Sequence, residues 1–467
     1  MFLTACFIMR WTDMKFDKEF LKSIFAIAIP IALQNLITLG TSMMDTIMLG
    51  RADQTGVLLS ASSLANQPFF ILQVLTFGIA SGAAVLCAQY WGKGDMQPIR
   101  DVFSFVIKVA ILVGVLFGVT VLTVPEKVMR VYSVNEDIIN AGVKYLRILG
   151  YAYFTFAISN TVISALRSIE VLKVSVVASI VSFCTNVFLN WVLIFGNLGA
   201  PRLGIQGAAI ATLTARILEF AIALVYLFVI DKKLGFKVKD IFTHNRILAG
   251  DVMKSGSPVV INELMWSLAT SAQAAILGHI TYAAGDPVAA NSIAGVIQQL
   301  STVVIIGVAN AAAVLVGMAI GENNMKKAME RASALRWISA ILGVLACVFI
   351  LSVKKTFIGF YSVPEETKIL ADEIITVFAF ITICTAINMS MIMGILRGAG
   401  DTKFCMTTEI CCLWLLAIPL ALITAFVFHL PVPVVFFFMK IDEPAKAIIC
   451  AIRMKGTKWL NQLTRDF

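Results

Sequence analysis

Three sets of polar side chains in this 467-residue sequence have the types and spacing to hold a positive charge. Asn35, Thr38, Ser42 and Asp45 follow one another at steps of three, four and three. At about 100° per residue they fall within about 80° of arc, so on a helix they form one polar stripe ending on a carboxylate. Glu263, Ser267 and Thr270 follow at steps of four and three, flanked by Asn262 and Trp266. Asn186 and Asn190 lie one helical turn apart, with Ser179 and Ser182 on the same side. Amide carbonyls are hard oxygen donors of the kind small cations take. Asn186 and Asn190 could therefore offer oxygens to Na⁺, and Asp45 is a separate candidate acid within a membrane span. Asn35, Thr38, Ser42, Glu263, Trp266, Ser267 and Thr270 are candidates for the wall of a substrate cavity. The competing structural reading makes Asp45 part of a helix-end network, Glu263 a snorkelling residue and the asparagines interhelical glue.

The chemistry matters because of where these residues sit. The sequence is 59% hydrophobic and 14% charged, with mean hydropathy +0.89. A soluble domain has about 45–50% apolar and about 25% charged residues. Apolar stretches such as 141–164, 205–230 and 334–353 reach or exceed the roughly 20 residues that cross a bilayer core. A charge buried there costs about 3 kcal/mol or more, so it is kept where it meets a cavity or a partner. Arg216 and Glu219, and Glu443 and Lys446, are three residues apart with opposite charge and read as structural pairs. The methionines at 389, 391 and 393 read as packing.

The formal charge of +9 reads as Lys and Arg retained on the cytoplasmic side, and no basic run interleaved with aromatics suggests nucleic acid. The nine cysteines lie mostly in apolar stretches without a C-x-x-C pair, and His244, His279 and His429 lack ligand spacing. No zinc or haem site and no cofactor is expected. The stretch 1–13 is too short for a secretory signal, and Met14, before a basic run, is read as the start.

Charges and Gly/Pro clusters divide the chain into twelve expected spans: 23–49, 58–89, 102–124, 141–164, 172–196, 205–230, 252–280, 288–320, 333–353, 373–396, 405–428 and 432–452. Lys and Arg concentrate in the N-terminal tail, the 231–251 loop, the loop after span 8 and the C-terminus, which places both termini in the cytoplasm. The halves repeat. Pro30 to Gly50 aligns with Pro258 to Gly278, Gly78–Leu86 with Gly307–Leu315, and Ala165–Arg167 with Ile395–Arg397, at offsets of 228, 229 and 230. Six spans per copy is an even number, so the copies share one orientation, with a site expected between them near mid-membrane. The expected fold class is an all-α polytopic membrane protein of two parallel-repeat lobes, 15–230 and 252–453, joined by a linker at 231–251.

These pieces resemble the MATE (multidrug and toxic compound extrusion) family of secondary transporters, in its bacterial NorM-like branch. The matching motifs are Asp45-Thr-Ile-Met-Leu-Gly50, Ala165-Leu-Arg167, Asn186-Val-Phe-Leu-Asn190, Gly207-Ala-Ala-Ile-Ala-Thr212 and Leu396-Arg-Gly-Ala-Gly-Asp-Thr402, spread over nearly the whole chain. The resemblance implies two six-helix lobes around a V-shaped cavity. It implies export of small organic cations in exchange for Na⁺ or H⁺, and residence in a bacterial inner membrane. The family's span 1 acid maps to Asp45 and its span 5 amides to Asn186 and Asn190. Its span 7 acid lies about one turn from Glu263. The span 10 acid of some members is replaced, with Asn388 the nearest polar residue, so a C-lobe cation site would rest on Glu263. The expected partners are organic cations and the lipid bilayer, and the expected state is a monomer.

Two other transporters compete. A lipid-linked saccharide flippase of the same superfamily would need several Arg or Lys in its cavity for pyrophosphate. A major-facilitator carrier would carry Gly-x-x-x-Asp-Arg/Lys between spans 2 and 3, where this chain has Trp91-Gly-Lys-Gly-Asp-Met-Gln-Pro98. An enzyme is not expected, since neither H-E-x-x-H nor G-x-S-x-G occurs.

Overall fold

The computed structural model describes residues 18–53, 57–243, 245–280, 283, 285–361 and 363–465. The expected start at Met14 and His244 lie outside these residues. The chain folds into helices, here α1 (Lys18–Ala52), α2 (Val57–Lys93), α3 (Met96–Thr123), α4 (Pro125–Tyr132), α5 (Glu136–Ser168), α6 (Lys173–Phe195) and α7 (Ile205–Ile230). The second half gives α8 (Arg246–Gly278), α9 (Pro287–Gly321), α10 (Met325–Gly359), α11 (Glu365–Leu396), α12 (Thr402–Val427), α13 (Val432–Met439) and α14 (Asp442–Lys455). Polar side chains start several of them: Asn135 accepts from the amides of Asp137 and Ile138, and Asp286 from those of Val288 and Ala289.

Ten of these helices, α1 to α3, α5 to α7 and α9 to α12, are long and apolar enough to cross a membrane among the described residues. The other two expected spans behave differently. Helix α8 has 33 residues but carries Arg246, Asp251, Lys254 and Glu263. The stretch 432–452, expected as one span, is two short helices, α13 and α14. Lys440 caps the first, and Asp442-Glu443-Pro444 opens the second. Proline fits a first turn well, because its missing N–H is not needed there.

Two compact units partition the chain. Among the described residues, the N unit comprises those of 33–87 and 94–260, and the C unit those of 18–32, 88–93 and 261–465. Three helices change unit along their length: α1 after Ala32, α2 after Cys87 and α8 after Val260. The breaks in α1 and α8 each fall two residues past a repeat-related proline, Pro30 and Pro258, through which both helices continue.

Small residues set the helix spacing within each unit, as association between helices in lipid requires. In the N unit, a Cβ on Gly118 would lie 3.0 Å from the Gly150 carbonyl oxygen, which brings α3 onto α5. In the C unit, a Cβ on Gly343 would lie 2.9 Å from Ile383 Cα, which brings α10 onto α11. Leu112, Leu116 and Val119 on α3, and Leu345 and Val348 on α10, are exposed, as lipid-facing side chains are. The stretch expected as a linker is packed against α3. Ser104 donates to the Ile241 and Thr243 carbonyls at 2.9 and 3.0 Å, Arg100 Nε donates to the Leu234 carbonyl at 2.7 Å, and Phe236 is buried.

Candidate functional site

In the N unit the structure brings Asp45, Asn186 and Asn190 together. Helix α1 supplies Asp45 and α6 supplies both asparagines, one turn apart and almost fully buried. Asn190 Nδ2 donates to Asp45 Oδ1 at 2.5 Å and to Asn186 Oδ1 at 3.0 Å. Asn186 Nδ2 donates in turn to Thr212 Oγ1 on α7 at 3.3 Å. Donation thus diverges from Asn190, to the α1 carboxylate on one side and through Asn186 to Thr212 on α7 on the other. Asn190 Oδ1 is buried and makes no hydrogen bond among the described residues. A buried acceptor left unpaired costs about 1–3 kcal/mol, so this oxygen is a ready ligand for a donor or a cation.

One turn beyond Thr212, Arg216 Nη1 lies 2.6 Å from Glu219 Oε2, the pair expected from their spacing. The Arg216 guanidinium also lies 5.0 Å from the centre of the Phe156 ring and 5.8 Å from that of Phe69. An aromatic ring attracts a guanidinium electrostatically, so this cation is held by the Glu219 carboxylate and by two neighbouring rings. The rest of the α1 stripe opens outward: Thr38 and Ser42 are exposed, while Asn35 and Asp45 are half-buried. Thr38 Oγ1 bonds the Gln34 carbonyl at 3.0 Å, which leaves its methyl and oxygen edge on the helix surface.

In the C unit Glu263 does not stand alone. Arg397 donates to Glu263 Oε1 from both Nη1 and Nη2 at 3.1 Å. Arg397 Nη2 also reaches Glu409 Oε2 on α12 at 3.3 Å, and Asn262 Nδ2 donates to that same oxygen. One guanidinium, 4% exposed, therefore faces two carboxyls that are each 20% exposed. Glu263 thus shares its guanidinium with a second acid, Glu409, which the sequence did not place beside it. Trp266, one turn along α8, is 51% exposed, whereas Thr270 Oγ1 is turned onto the Ser267 carbonyl at 2.8 Å.

Asn388 belongs to a second polar group of the C unit. Its Nδ2 donates to Glu443 Oε2 at 2.8 Å, and Lys446 Nζ lies 2.8 Å from Glu443 Oε1 and 2.9 Å from Asp442 Oδ2. The Glu443–Lys446 pair expected from spacing is present, with Asp442 added. Thr212, Arg397 and Glu409 escaped the sequence reading as site residues. In the sequence, Thr212 and Arg397 are visible only as letters of the 207–212 and 396–402 motifs. Glu409 is a single acid near a helix end, and only the fold places it beside Glu263.

Comparison with known proteins agrees with this architecture. The MatE family model matches residues 30–192 and again 258–423, so the two halves of the chain are two copies of one unit. The chain is 24% identical over 419 residues to the probable multidrug resistance protein YoeA of Bacillus subtilis, covering 88% of each. It is 25% identical to the probable multidrug resistance protein NorM of Thermotoga maritima, covering 96% of this chain and 95% of that one. Among solved structures, an outward-facing multidrug resistance MATE family transporter of the MOP superfamily superposes with a TM-score of 0.84 at 19% identity, over 93% of this chain and 95% of the other. The fold and the paired repeat are those of a polytopic α-helical membrane protein. The chain belongs to the MatE family, and the major-facilitator alternative is set aside.

Proposed function

We propose that this chain is a secondary active antiporter that exports small organic cations in exchange for Na⁺ or H⁺. The observation that carries the reading is Asp45 on a membrane helix, capped by the Asn190 amide, with the buried Asn190 oxygen left for a donor or cation. A proton or Na⁺ would neutralise Asp45, and Asn186 and Asn190 would complete an oxygen site. Organic cation and coupling ion need only favour opposite openings of the cavity, which is a coupling free energy between two states. The names of the relatives support export of drugs. Glu263, Trp266, Ser267 and Thr270 on α8, and separately Asn35, Thr38 and Ser42 on α1, are the side chains offered to the exported cation.

The remaining expectations belong to the same proposal: two six-helix lobes at 15–230 and 252–453, both termini in the cytoplasm, a bacterial inner membrane and a monomer. The saccharide flippase ranks second. It needs cavity cations free for pyrophosphate, whereas Arg216 is paired with Glu219, and Arg397 with Glu263 and Glu409. The test is ethidium transport by the purified chain in proteoliposomes under imposed Na⁺ or pH gradients. Export driven by one of them is expected; tighter binding of an anionic lipid carrier than of ethidium would reverse the ranking.

A further inference from the structure

The segment after α14 returns across the C unit and ties itself to the last turns of α2. Trp459 anchors it, almost fully buried. The Asn461 N–H donates to the Ala399 carbonyl at 3.1 Å, at the corner between α11 and α12. At that corner Gly400 adopts φ +81°, and a Cβ there would lie 2.9 Å from Leu463 Cδ1. Glycine thus serves both the turn and the seat for Leu463.

Beyond the corner the tail pairs with α2. Gln89 is fully buried and uses both ends of its amide on the tail backbone. Its Nε2 donates to the Asn461 carbonyl at 3.1 Å, and its Oε1 accepts from the Leu463 N–H at 2.8 Å. The Tyr90 hydroxyl accepts from the Arg465 N–H at 3.0 Å, and Lys93 Nζ donates to the Arg465 carbonyl at 2.8 Å. Arg453 Nε fixes the root of the segment on Asp401 at 2.9 Å. One buried side chain thus satisfies an extended main chain as a neighbouring strand would.

The position of this tie gives it meaning. Helix α2 is one of the three that change unit, and the tail holds only its C-unit part, Ala88–Lys93. The same turns are wedged against α9, where Gly321 packs on the Gln89 carbonyl and Gly92 on the Met318 carbonyl. We propose that Trp459–Arg465 is a built-in strap that restrains the last turns of α2 and slows the transport cycle, so that displacing it speeds transport. Hydrogen exchange reads the local opening of a restrained segment directly.

The test compares the full chain with Gln89→Leu, which keeps the volume and removes both amide bonds, and with Leu463→Ala, which empties the seat on Gly400. Amide exchange of residues 88–93 in lipid nanodiscs is expected to rise about tenfold in both variants, with the rest of α9 and α11 unchanged. Ethidium turnover in proteoliposomes is expected to rise about threefold at unchanged KM. Unchanged exchange at 88–93 would show that the tail restrains nothing. Faster exchange with equal or slower turnover would also overturn the regulatory role. The inference uses the proposed export only as its second readout. A wild-type chain that moves no ethidium sinks that reading, while the exchange comparison still decides the strap.

Discussion

Asn190 points its amide nitrogen, not its oxygen, at Asp45, and the same nitrogen serves Asn186 Oδ1. The carboxylate therefore meets a donor where a bound cation would otherwise stand, and the Asn190 oxygen is left over in a buried place. If a cation or proton takes the carboxylate, as proposed, rotation of one amide would exchange the donor for an acceptor.

Asn190→Leu removes that donor at nearly constant volume. The variant is expected to lose gradient-driven export by at least tenfold and to be destabilised by about 1–3 kcal/mol, because Asp45 and Asn186 lose their shared partner. Proteoliposome efflux and thermal unfolding in detergent measure the two effects. Asn186→Leu, one bond further from the carboxylate, is expected to show a smaller loss of export.

Arg397→Met leaves Glu263 and Glu409 facing one another without their shared cation. Breaking a buried ion pair by removing one partner costs about 3–5 kcal/mol. A fall in denaturation temperature larger than that of Glu409→Gln is expected, since the glutamine variant keeps one carboxylate on the guanidinium. Equal falls would show that Arg397 is not what holds the pair.

Glu263→Gln probes the substrate path. If Glu263 attracts the positive group of the exported molecule, KM for ethidium should rise several-fold with little change in turnover. That pattern marks lost ground-state binding, which a purely structural role would not single out.

Gly343→Val tests the packing logic. A branched side chain placed 2.9 Å from the Ile383 Cα must push α10 from α11, and overpacking of this kind costs about 1–3 kcal/mol. Valine at Gly359, whose Cβ would meet nothing within 4 Å, is the matched control and should be near neutral.

Much of this fold was legible in the sequence because lipid simplifies the problem. Every backbone group must be paired within a helix, so apolar length alone marks ten of the twelve expected spans. The repeat was legible because Pro30 and Pro258 carry the same local signal. The break of the final stretch into two short helices was not legible, because hydropathy does not count the helix-starting geometry of Asp442-Glu443-Pro444. In the sites, residues one turn apart on a single helix were visible, hence Asn186 with Asn190. Partners on other helices were not: Glu409 lies 146 positions from Glu263, and only tertiary packing brings Arg397 between them.

Coupled ion flux tests the central claim most directly. Sodium and proton uptake should be measured alongside ethidium export in proteoliposomes holding either the wild-type chain or Asp45→Asn, with folding checked by thermal unfolding. The account predicts ion uptake locked to export in the wild type, and loss of both in a variant that remains folded. Ion-coupled export by Asp45→Asn at the wild-type rate would contradict it.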